Sequence, residues 1–340
     1  MSIKLSICIP TYNFGQFIGQ TLDSILPQIT KEVEVIVLDG GSTDETAQVV
    51  AIRQLDYSQL AYVHQDFRGG IDRDIEKVVS LARGKYCWLF SADDIMLPGS
   101  VSKLLEAIES NSDVYLCEHV LCNIEMERIS DYPVFNNLHH QRLFDLGDAT
   151  QRKEYFRLAR TSEAFFSFLA GPIFKKDIWD SANVPESFRA TCWIVAGHLL
   201  SMIPKGITIN YLSEALLYKR EGNDSFSNGS HVNRCKIGIE NFHHIINTVF
   251  GMTSEESFHI KRVLHRDIPL RALLYAKLRT VECPEKENIE VLQRQLAMHY
   301  SDSTFMNWMK IAVFGLAHPS LLMMGRRFKK YFDKLLSEIY

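Results

Sequence analysis

The chain has 340 residues, of which 46% are hydrophobic and 23% are charged, the balance of an ordinary globular protein. Its formal net charge of -4 excludes a general nucleic-acid binder, so any anion-binding site is local. The seven cysteines form no C-x-x-C pair and no metal-ligand spacing, which indicates reduced thiols and a cytoplasmic protein. The N-terminal apolar run is too short for a signal peptide, and no run reaches the roughly 20 apolar residues of a membrane span.

The first half of the chain alternates predicted strands and helices. Short apolar, β-branched runs predict strands over residues 5–9, 33–38, 60–64, 86–90 and 114–117. Helices are predicted over residues 16–29, from residue 42, over residues 73–82 and from residue 100. The prediction of the helix from residue 42 depends on Ser42 and Glu45, which have the spacing of a capping box. This alternation favours βαβ units and a parallel sheet.

Three polar residues follow predicted strands directly or within a few positions. They are Thr11, Asp39 and Asp93. Ligands of parallel α/β sheets bind beyond the carboxyl ends of the strands. We therefore expect these three side chains to point into one crevice.

Two adjacent aspartates, Asp93 and Asp94, come after the apolar run 86–90. A divalent cation held by one or two carboxylates, with phosphate oxygens in other positions, is a common way to neutralise a diphosphate. The structural alternative is a helix N-terminal cap, a position that favours Asp. The preceding strand and the parallel-sheet context favour the metal and diphosphate site.

The ends of the first two strands supply candidates for nucleoside binding. Asp39 could accept hydrogen bonds from a base or a ribose, and a turn-forming Asp before Gly40 is equally compatible with the spacing. Thr11, Tyr12 and Asn13, which come after Pro10 at the end of the first strand, could frame the base.

Three blocks of sequence, at 6–13, 34–44 and 84–94, resemble the family 2 glycosyltransferases of the GT-A fold in both order and spacing. The resemblance covers about residues 3–118 and implies an α/β domain with a mainly parallel central sheet, which takes a nucleoside-diphosphate sugar as donor. It also implies roles for individual residues: nucleoside contacts by Thr11, Tyr12 and Asp39, proximity to the donor for Gly70, Asp72 and Arg73, a ribose or diphosphate contact by Asp93, and Mg or Mn binding by Asp94.

A narrower resemblance, at 70–74, 84–90, 114–117 and 220–226, is to the abequosyltransferases of bacterial O-antigen synthesis. It implies transfer of a 3,6-dideoxyhexose such as abequose from its CDP form to a lipid-linked oligosaccharide. The alternatives are an inverting family 2 enzyme that uses a UDP- or GDP-hexose, and a non-catalytic module that binds sugar nucleotides. A Rossmann oxidoreductase is disfavoured because no G-x-G-x-x-G follows the first strand.

The segment from Arg220 to Ser225 fits a phosphate site. Arg220 offers a forked donor to phosphate, and Asn223 and Ser225 belong to a polar, flexible loop beside it. The alternative is an exposed turn, since Gly-Asn-Asp-Ser is ordinary turn chemistry.

Many family 2 enzymes use a carboxylate base in a Glu-Asp pair, but this chain has no acidic residue between Glu186 and Glu214. In the comparable helical stretch, 192–200, His198 is the candidate, either as a base or as a metal ligand. A histidine packed into the core is the structural alternative. The resemblance to abequosyltransferases implies an α-linked product from a donor that is usually α, and hence net retention. In a front-face mechanism the leaving diphosphate itself can take the acceptor proton, so no separate carboxylate base is needed.

We predict a GT-A domain over residues 1–232 and a helical region over residues 233–340. The polar stretch 119–160 is expected to be irregular, as an insertion or as loops on the acceptor side. Within 305–340, an apolar stretch is followed by five basic residues between 326 and 334, which suits peripheral contact with the inner face of the cytoplasmic membrane. A helix packed on the catalytic domain with a solvated basic face is the alternative.

Overall fold

The computed structural model describes residues 2–223, 230–284, 287–301 and 304–318. These residues divide into two compact units. The first comprises 2–223 with 245–260, and the second comprises 230–244 with 261–318, less the gaps just given. The predicted boundary at residue 232 stays a prediction.

The first unit is built on one mixed sheet. Its strands within the described residues are β1 (Leu5–Thr11), β2 (Val33–Asp39), β3 (Leu60–His64), β4 (Tyr86–Leu89), β5 (Ile95–Met96), β6 (Val114–Cys122), β7 (Arg128–Tyr132), β8 (Arg142–Asp145), β9 (Pro172–Lys175) and β10 (Thr208–Arg220). The strand order is β3-β2-β1-β4-β9-β6-β10-β5, with β7 beside β6 and β8 beside β10.

The N-terminal half of this sheet is parallel, as the βαβ pattern predicts. Strands β3, β2, β1 and β4 run in one direction, and β6 runs parallel to β10. The antiparallel strand β9 joins these two groups by pairing with both β4 and β6. Because β1 and β2 are in register from Leu5–Val33 to Thr11–Asp39, the two predicted nucleoside residues end side by side.

The helices of the described residues are α1 (Gly15–Ile25), α2 (Thr46–Gln54), α3 (Ile71–Leu81), α4 (Ser100–Ala107), α5 (Ala149–Leu158), α6 (Lys176–Asp180), α7 (Ile194–Met202), α8 (His231–Lys236), α9 (Phe242–Phe250), α10 (Glu255–Asp267), α11 (Leu270–Glu282), α12 (Ile289–His299) and α13 (Phe305–Leu316). Apolar residues of β1, β2 and β4 pack with α1 and α4 in the core of the first unit, which buries Ile7, Leu22, Val35, Trp88 and Leu104. The second unit has its own core around Leu273, Leu292 and Phe314.

Two sequence expectations are wrong. Helix α2 begins at Thr46 and not after Ser42, because the Ser42 hydroxyl accepts a hydrogen bond from the backbone of Asn13 (2.8 Å) and is not a helix cap. The stretch 119–160 is not irregular, since it contains the end of β6, the strands β7 and β8, and α5. No helix among the described residues is both long enough and apolar enough to cross a membrane.

Candidate active site

The loop after β4 carries Asp93 and Asp94 and is held from two sides. The hydroxyl of Thr21 on α1 donates to the backbone carbonyl of Asp94 (2.8 Å), and the backbone N–H of Arg220 on β10 donates to Asp94 Oδ1 (2.9 Å). Asp94 is only 2% exposed. Its second oxygen, Oδ2, is buried without a hydrogen bond of normal geometry among the described residues. A buried carboxylate oxygen in that state is well suited to a cation.

The raised pKa values of Asp93 and Asp94 also favour a cation at this position. Burial, together with the neighbouring Asp93 carboxylate, raises the pKa of Asp94 to about 8, although the Arg220 amide, Lys219 and Ser91 act to lower it. Burial also raises the pKa of Asp93, against a hydrogen bond from the Asn223 side chain to its Oδ2 (3.0 Å). A divalent cation would offset both the burial and the mutual repulsion of these carboxylates.

Arg220 lies beside the aspartate loop, but its guanidinium already serves protein acceptors. It donates to the carbonyl of Asp93 (2.9 Å), to the side chain of Gln20 (2.7 Å) and to the carbonyl of Ile124, and it stacks over Phe17 at 4.8 Å. The residue is 7% exposed. In this geometry Arg220 braces the loop that carries the aspartates. Its predicted contact with phosphate stays a prediction.

The polar loop predicted beside Arg220 is described only in part. Asn223 does reach the site, since its amide contacts Asp93. Ser225 lies outside the described residues, so its predicted role is not addressed by the structure.

The nucleoside candidates gather at the ends of β1 and β2. Asp39 is fully buried, and its two carboxylate oxygens accept hydrogen bonds from the Ser42 backbone (2.7 Å) and the Tyr62 hydroxyl (2.5 Å). The hydroxyl of the neighbouring Thr11 is buried without a hydrogen-bond partner among the described residues. The hydroxyl of Thr11 is thus available to a ligand, whereas the Asp39 carboxylate also fixes the surrounding loops.

Two further residues of the same segment differ in their exposure. Pro10 is buried inside β1, in register with Leu38 of β2, so it shapes the strand end. Tyr12 is half-buried, and the guanidinium of Arg68 lies 4.2 Å from its ring centroid. Tyr12 and Arg68 therefore form a flat pair beside the strand ends, of the kind on which a planar base can lie.

The predicted donor residues at the start of α3 occupy three different environments. Gly70 precedes the helix with a φ of +89°, a conformation that favours glycine. Arg73 is exposed, with Glu186 3.8 Å away. Asp72 is 4% exposed, and its carboxylate accepts hydrogen bonds from the backbone N–H groups of Cys192 (2.8 Å) and Ile194 (3.1 Å) at the start of α7. Asp72 thus ties α3 to α7.

His198 packs in the interior. Its ring stacks on Trp179 at a centroid distance of 3.8 Å, its Nδ1 lies 3.2 Å from the Trp179 carbonyl, and its Nε2 lies 3.3 Å from Glu76 Oε1. Burial lowers its pKa, against the raising effect of Glu76. These contacts agree with the structural alternative, and a role in proton transfer or metal binding stays a prediction.

Sequence reasoning missed two groups of polar residues at the strand ends. Asp74, 5% exposed, accepts a hydrogen bond from Gln65 (2.7 Å) and lies so close to Gly40 that a Cβ there would be 2.7 Å from its Oδ2. Glu163 and Lys219 lie 3.9 Å apart on the other half of the sheet. Asp74 lies in the quoted 70–74 block, whereas nothing local in the sequence marks Glu163.

Buried carboxylates at the carboxyl ends of parallel strands, next to the Thr11 hydroxyl, which is unpaired among the described residues, and the ring of Tyr12, are the features expected of an α/β transferase domain of the GT-A type. Residues 6–169 match the family model described as glycosyl transferase family 2. These residues form a family 2 glycosyltransferase domain, and the chain is a glycosyltransferase. The alternatives of an oxidoreductase and of a non-catalytic module are set aside.

Relatives and a solved structure agree with this assignment. Abequosyltransferase RfbV of Salmonella typhimurium is 26% identical over 269 residues, which are 78% of this chain and 81% of that protein. The GalNAc(5)-diNAcBac-PP-undecaprenol beta-1,3-glucosyltransferase of Campylobacter jejuni is 27% identical over 196 residues, 56% of this chain and 59% of that protein. The crystal structure of S. aureus TarS residues 1–349 in complex with UDP superposes with a TM-score of 0.60 at 17% identity, covering 90% of this chain and 82% of that one, and so shows the fold.

Proposed function

We propose that this glycosyltransferase moves a sugar from a nucleoside diphosphate to a lipid-linked O-antigen or related surface polysaccharide precursor, with Mg or Mn as cofactor. The observation that carries the donor and metal assignment is the buried, unsatisfied Oδ2 of Asp94, next to a second carboxylate at the end of β4. Diphosphate leaving groups need positive charge at such a position, and carboxylate pairs hold the cation that supplies it.

The residues present fit the cofactor. Asp94 would hold the cation directly and Asp93 would support it, while phosphate oxygens of the donor complete its coordination. No group of three potential ligands from His, Cys, Asp and Glu converges in the part of the chain that the structure describes, so the protein would supply one or two carboxylates and the donor the remaining ligands. When bound, the cation would stabilise the negative charge that develops on the diphosphate.

The nucleoside would lie at the ends of β1 and β2. Thr11 offers its buried hydroxyl, Asp39 closes the end of β2, and Tyr12 with Arg68 offers a flat surface to the base. We favour CDP and a 3,6-dideoxyhexose such as abequose, because an abequosyltransferase is similar over 78% of this chain. A UDP- or GDP-hexose used with inversion is the second candidate, supported by the fold likeness to a protein solved with UDP.

Retention is the stereochemistry we propose. His198 is buried between Trp179 and Glu76, and the sequence has no Asp or Glu between Glu186 and Glu214. In a front-face reaction the bond from C1 to the diphosphate breaks with its electron pair going to the diphosphate. The acceptor oxygen bonds to the same face of C1, and its proton passes to the diphosphate. An NMR spectrum showing a β-linked product from an α-linked donor would contradict this.

One exposed surface supports the proposed acceptor and cellular location. Helix α13 exposes the large apolar side chains of Phe305 (74%), Trp308 (65%) and Leu316 (83%). The basic stretch predicted to continue this surface, 326–334, lies outside the described residues. An apolar helix face followed by basic residues suits the surface of an anionic bilayer, where a lipid-linked oligosaccharide is found. We therefore place the enzyme in the cytoplasm, peripherally at the inner face of the cytoplasmic membrane.

The test of the proposed function is a nucleoside-diphosphate release assay with a panel of activated sugars, including CDP-abequose, and a lipid-linked oligosaccharide acceptor. We expect release that EDTA abolishes and that added Mn²⁺ or Mg²⁺ restores. Asp94→Asn should lose activity by roughly 10²-fold or more, because the cation loses its main ligand. Asp23→Asn is the matched control, since Asp23 is exposed and pairs with Arg53. Activity that survives both EDTA and Asp94→Asn would exclude the metal assignment.

A further inference from the structure

A second polar group lies across β10 from Arg220. Side chains alternate along a strand, so Lys219 and Arg220 point to opposite faces of the sheet. The ammonium of Lys219 lies 3.9 Å from Glu163 Oε1, and 5.1 and 5.8 Å from the ring centroids of Phe168 and Tyr132. Together with His119, which stacks on Tyr132, these residues form a compact charged and aromatic group that we call the Lys219 cluster.

His119 is the least satisfied member of the Lys219 cluster. It is 1% exposed, and its ring lies between Tyr132 (4.8 Å) and Phe168 (4.7 Å). Its Nδ1 lies 3.3 Å from Glu163 Oε2 without making a hydrogen bond, and its Nε2 has no hydrogen-bond partner among the described residues. Burial lowers the pKa of this ring to about 3, so it is neutral and has one nitrogen that donates and one that accepts. Buried polar atoms in such a state call for a ligand or water.

The Lys219 cluster adjoins the aspartate loop. The residue next to Lys219, Arg220, donates its backbone N–H to Asp94 Oδ1 at 2.9 Å. The ammonium of Lys219 is also near enough to lower the pKa of both Asp93 and Asp94. The cluster is accessible on this side, since the side chain of Lys219 is 27% exposed and that of Glu221, 3.4 Å from its ammonium, is 48% exposed. A group attached to a diphosphate held at Asp94 would therefore lie close to Lys219.

The chemistry of the Lys219 cluster fits a sugar. An ammonium donates to hydroxyl oxygens, a carboxylate accepts from hydroxyl groups, and a neutral imidazole can do either. Aromatic rings beside these groups provide apolar surface for the C–H faces of a pyranose, in the usual composition of a small-ligand site. Arg220 does not provide hydrogen-bond donors for a sugar, because its guanidinium donates to protein acceptors.

We propose that the Lys219 cluster is the subsite for the transferred sugar. Lys219 and Glu163 bind its hydroxyl groups, and the rings of Tyr132 and Phe168 lie against its apolar faces. This inference rests on the proposed function, since it takes the donor diphosphate to be held at Asp94.

Calorimetric titration of two variants tests the proposal. Lys219→Met keeps the aliphatic stem over the rings, and Glu163→Gln keeps the shape of the side chain. Each is titrated in Mn²⁺ with CDP, CDP-abequose, UDP and UDP-N-acetylglucosamine. We expect CDP and UDP to bind as tightly as to the wild type, within about twofold. The ratio of the affinity for a nucleotide sugar to the affinity for its own diphosphate should fall by roughly tenfold or more. This is the usual effect of a lost hydrogen bond to a charged group.

Lys103→Met is the matched control for the lysine variant, because Lys103 is 56% exposed and pairs with the exposed Glu214. Circular dichroism confirms that each variant is folded. Equal loss of diphosphate and nucleotide-sugar binding would overturn the proposal. The proposal would also be overturned if the wild-type protein bound each nucleotide sugar and its diphosphate with equal affinity. Failure of the wild type to bind any diphosphate would instead refute the proposed function and the subsite with it.

Discussion

The carboxylate of Asp72 on α3 accepts a hydrogen bond from the backbone N–H of Cys192 at 2.8 Å, just before α7 begins. Its second oxygen accepts from Ile194 at 3.1 Å. Cys192 has a φ of +65°, so the turn that it forms is unfavourable for an L residue without such support. A residue predicted from resemblance to lie near the donor therefore also orders the start of α7, the helix that contains His198.

Asp72→Ala should destabilise the first unit. The change removes both acceptors from the N-terminus of α7, and loss of such a cap costs about 0.5–2 kcal/mol. The expected fall in Tm is on the order of 2–6 °C, measured by thermal unfolding without nucleotide. Asp72→Asn keeps one side-chain acceptor and removes a buried carboxylate, whose pKa burial raises. The asparagine variant should therefore lose less stability than the alanine variant. A normal Tm for Asp72→Ala with a large loss of donor affinity would instead favour a direct role at the donor.

Arg220→Lys separates bracing of the aspartate loop from phosphate binding. A lysine cannot reproduce the donors that reach the Asp93 carbonyl and Gln20 together, and hydrogen bonds to a charged group contribute about 1.5–3 kcal/mol. We expect a fall in Tm of several degrees in the absence of nucleotide and weaker Mn²⁺ binding by calorimetry. Arg73→Lys, at an exposed position, is the control for stability. An unchanged Tm with weaker binding of diphosphate would support the phosphate role.

The sequence predicts the parallel half of the fold well because its signals are local. Apolar runs correctly predict β1 to β4 and the first part of β6, and the rule for strand ends correctly places Thr11 beside Asp39. The sequence pattern does not predict β10, because this strand is 13 residues long, carries polar residues throughout and pairs irregularly with β6.

The contacts missed at the site join residues far apart in the chain. Ser42 has the spacing of a cap but bonds to Asn13, 29 positions away, while the Asp44 side chain accepts from the backbone of Thr46 (3.0 Å) at the true start of α2. Asp72 meets Cys192 across 120 positions. The chemistry of Arg220 predicts a contact with phosphate, and only the structure shows that its donors bind protein acceptors.

His198→Gln tests whether the buried imidazole takes part in the reaction. Its stacking on Trp179 and its contact with Glu76 predict a structural role, so the variant should lose stability while kcat changes by less than about threefold. A general base contributes roughly 10²–10⁴-fold, so the two roles are far apart in effect. The measurements are Tm and the dependence of kcat on pH. A loss of about 10²-fold in kcat with an unchanged Tm would make His198 the base and would argue against retention.

His299 predicts a pH dependence of stability in the second unit. The residue is 1% exposed, its Nε2 lies 2.9 Å from the Ile268 carbonyl, and its ring faces His265 at 4.7 Å and His243 at 6.3 Å. Burial, with these histidines and Lys310 adding to it, lowers the pKa of His299 to about 3, whereas the unfolded chain titrates near 6.5. The unfolded state then binds more protons between these values, so the contribution of His299 to stability is complete above about pH 6.5 and is lost as the pH falls.

The His299→Gln variant should therefore flatten the acid side of the stability profile. Between pH 6 and pH 4, one such histidine changes the free energy of unfolding by about 1.4 kcal/mol per pH unit, and the variant lacks that slope. Urea unfolding of the full chain at several pH values measures it, with His139→Gln as the exposed control. His243, whose pKa burial lowers to about 4, keeps part of the slope in the variant. Parallel profiles for wild type and His299→Gln would mean that His299 binds its proton equally in the folded and the unfolded chain, and the assignment of a buried neutral ring would be wrong.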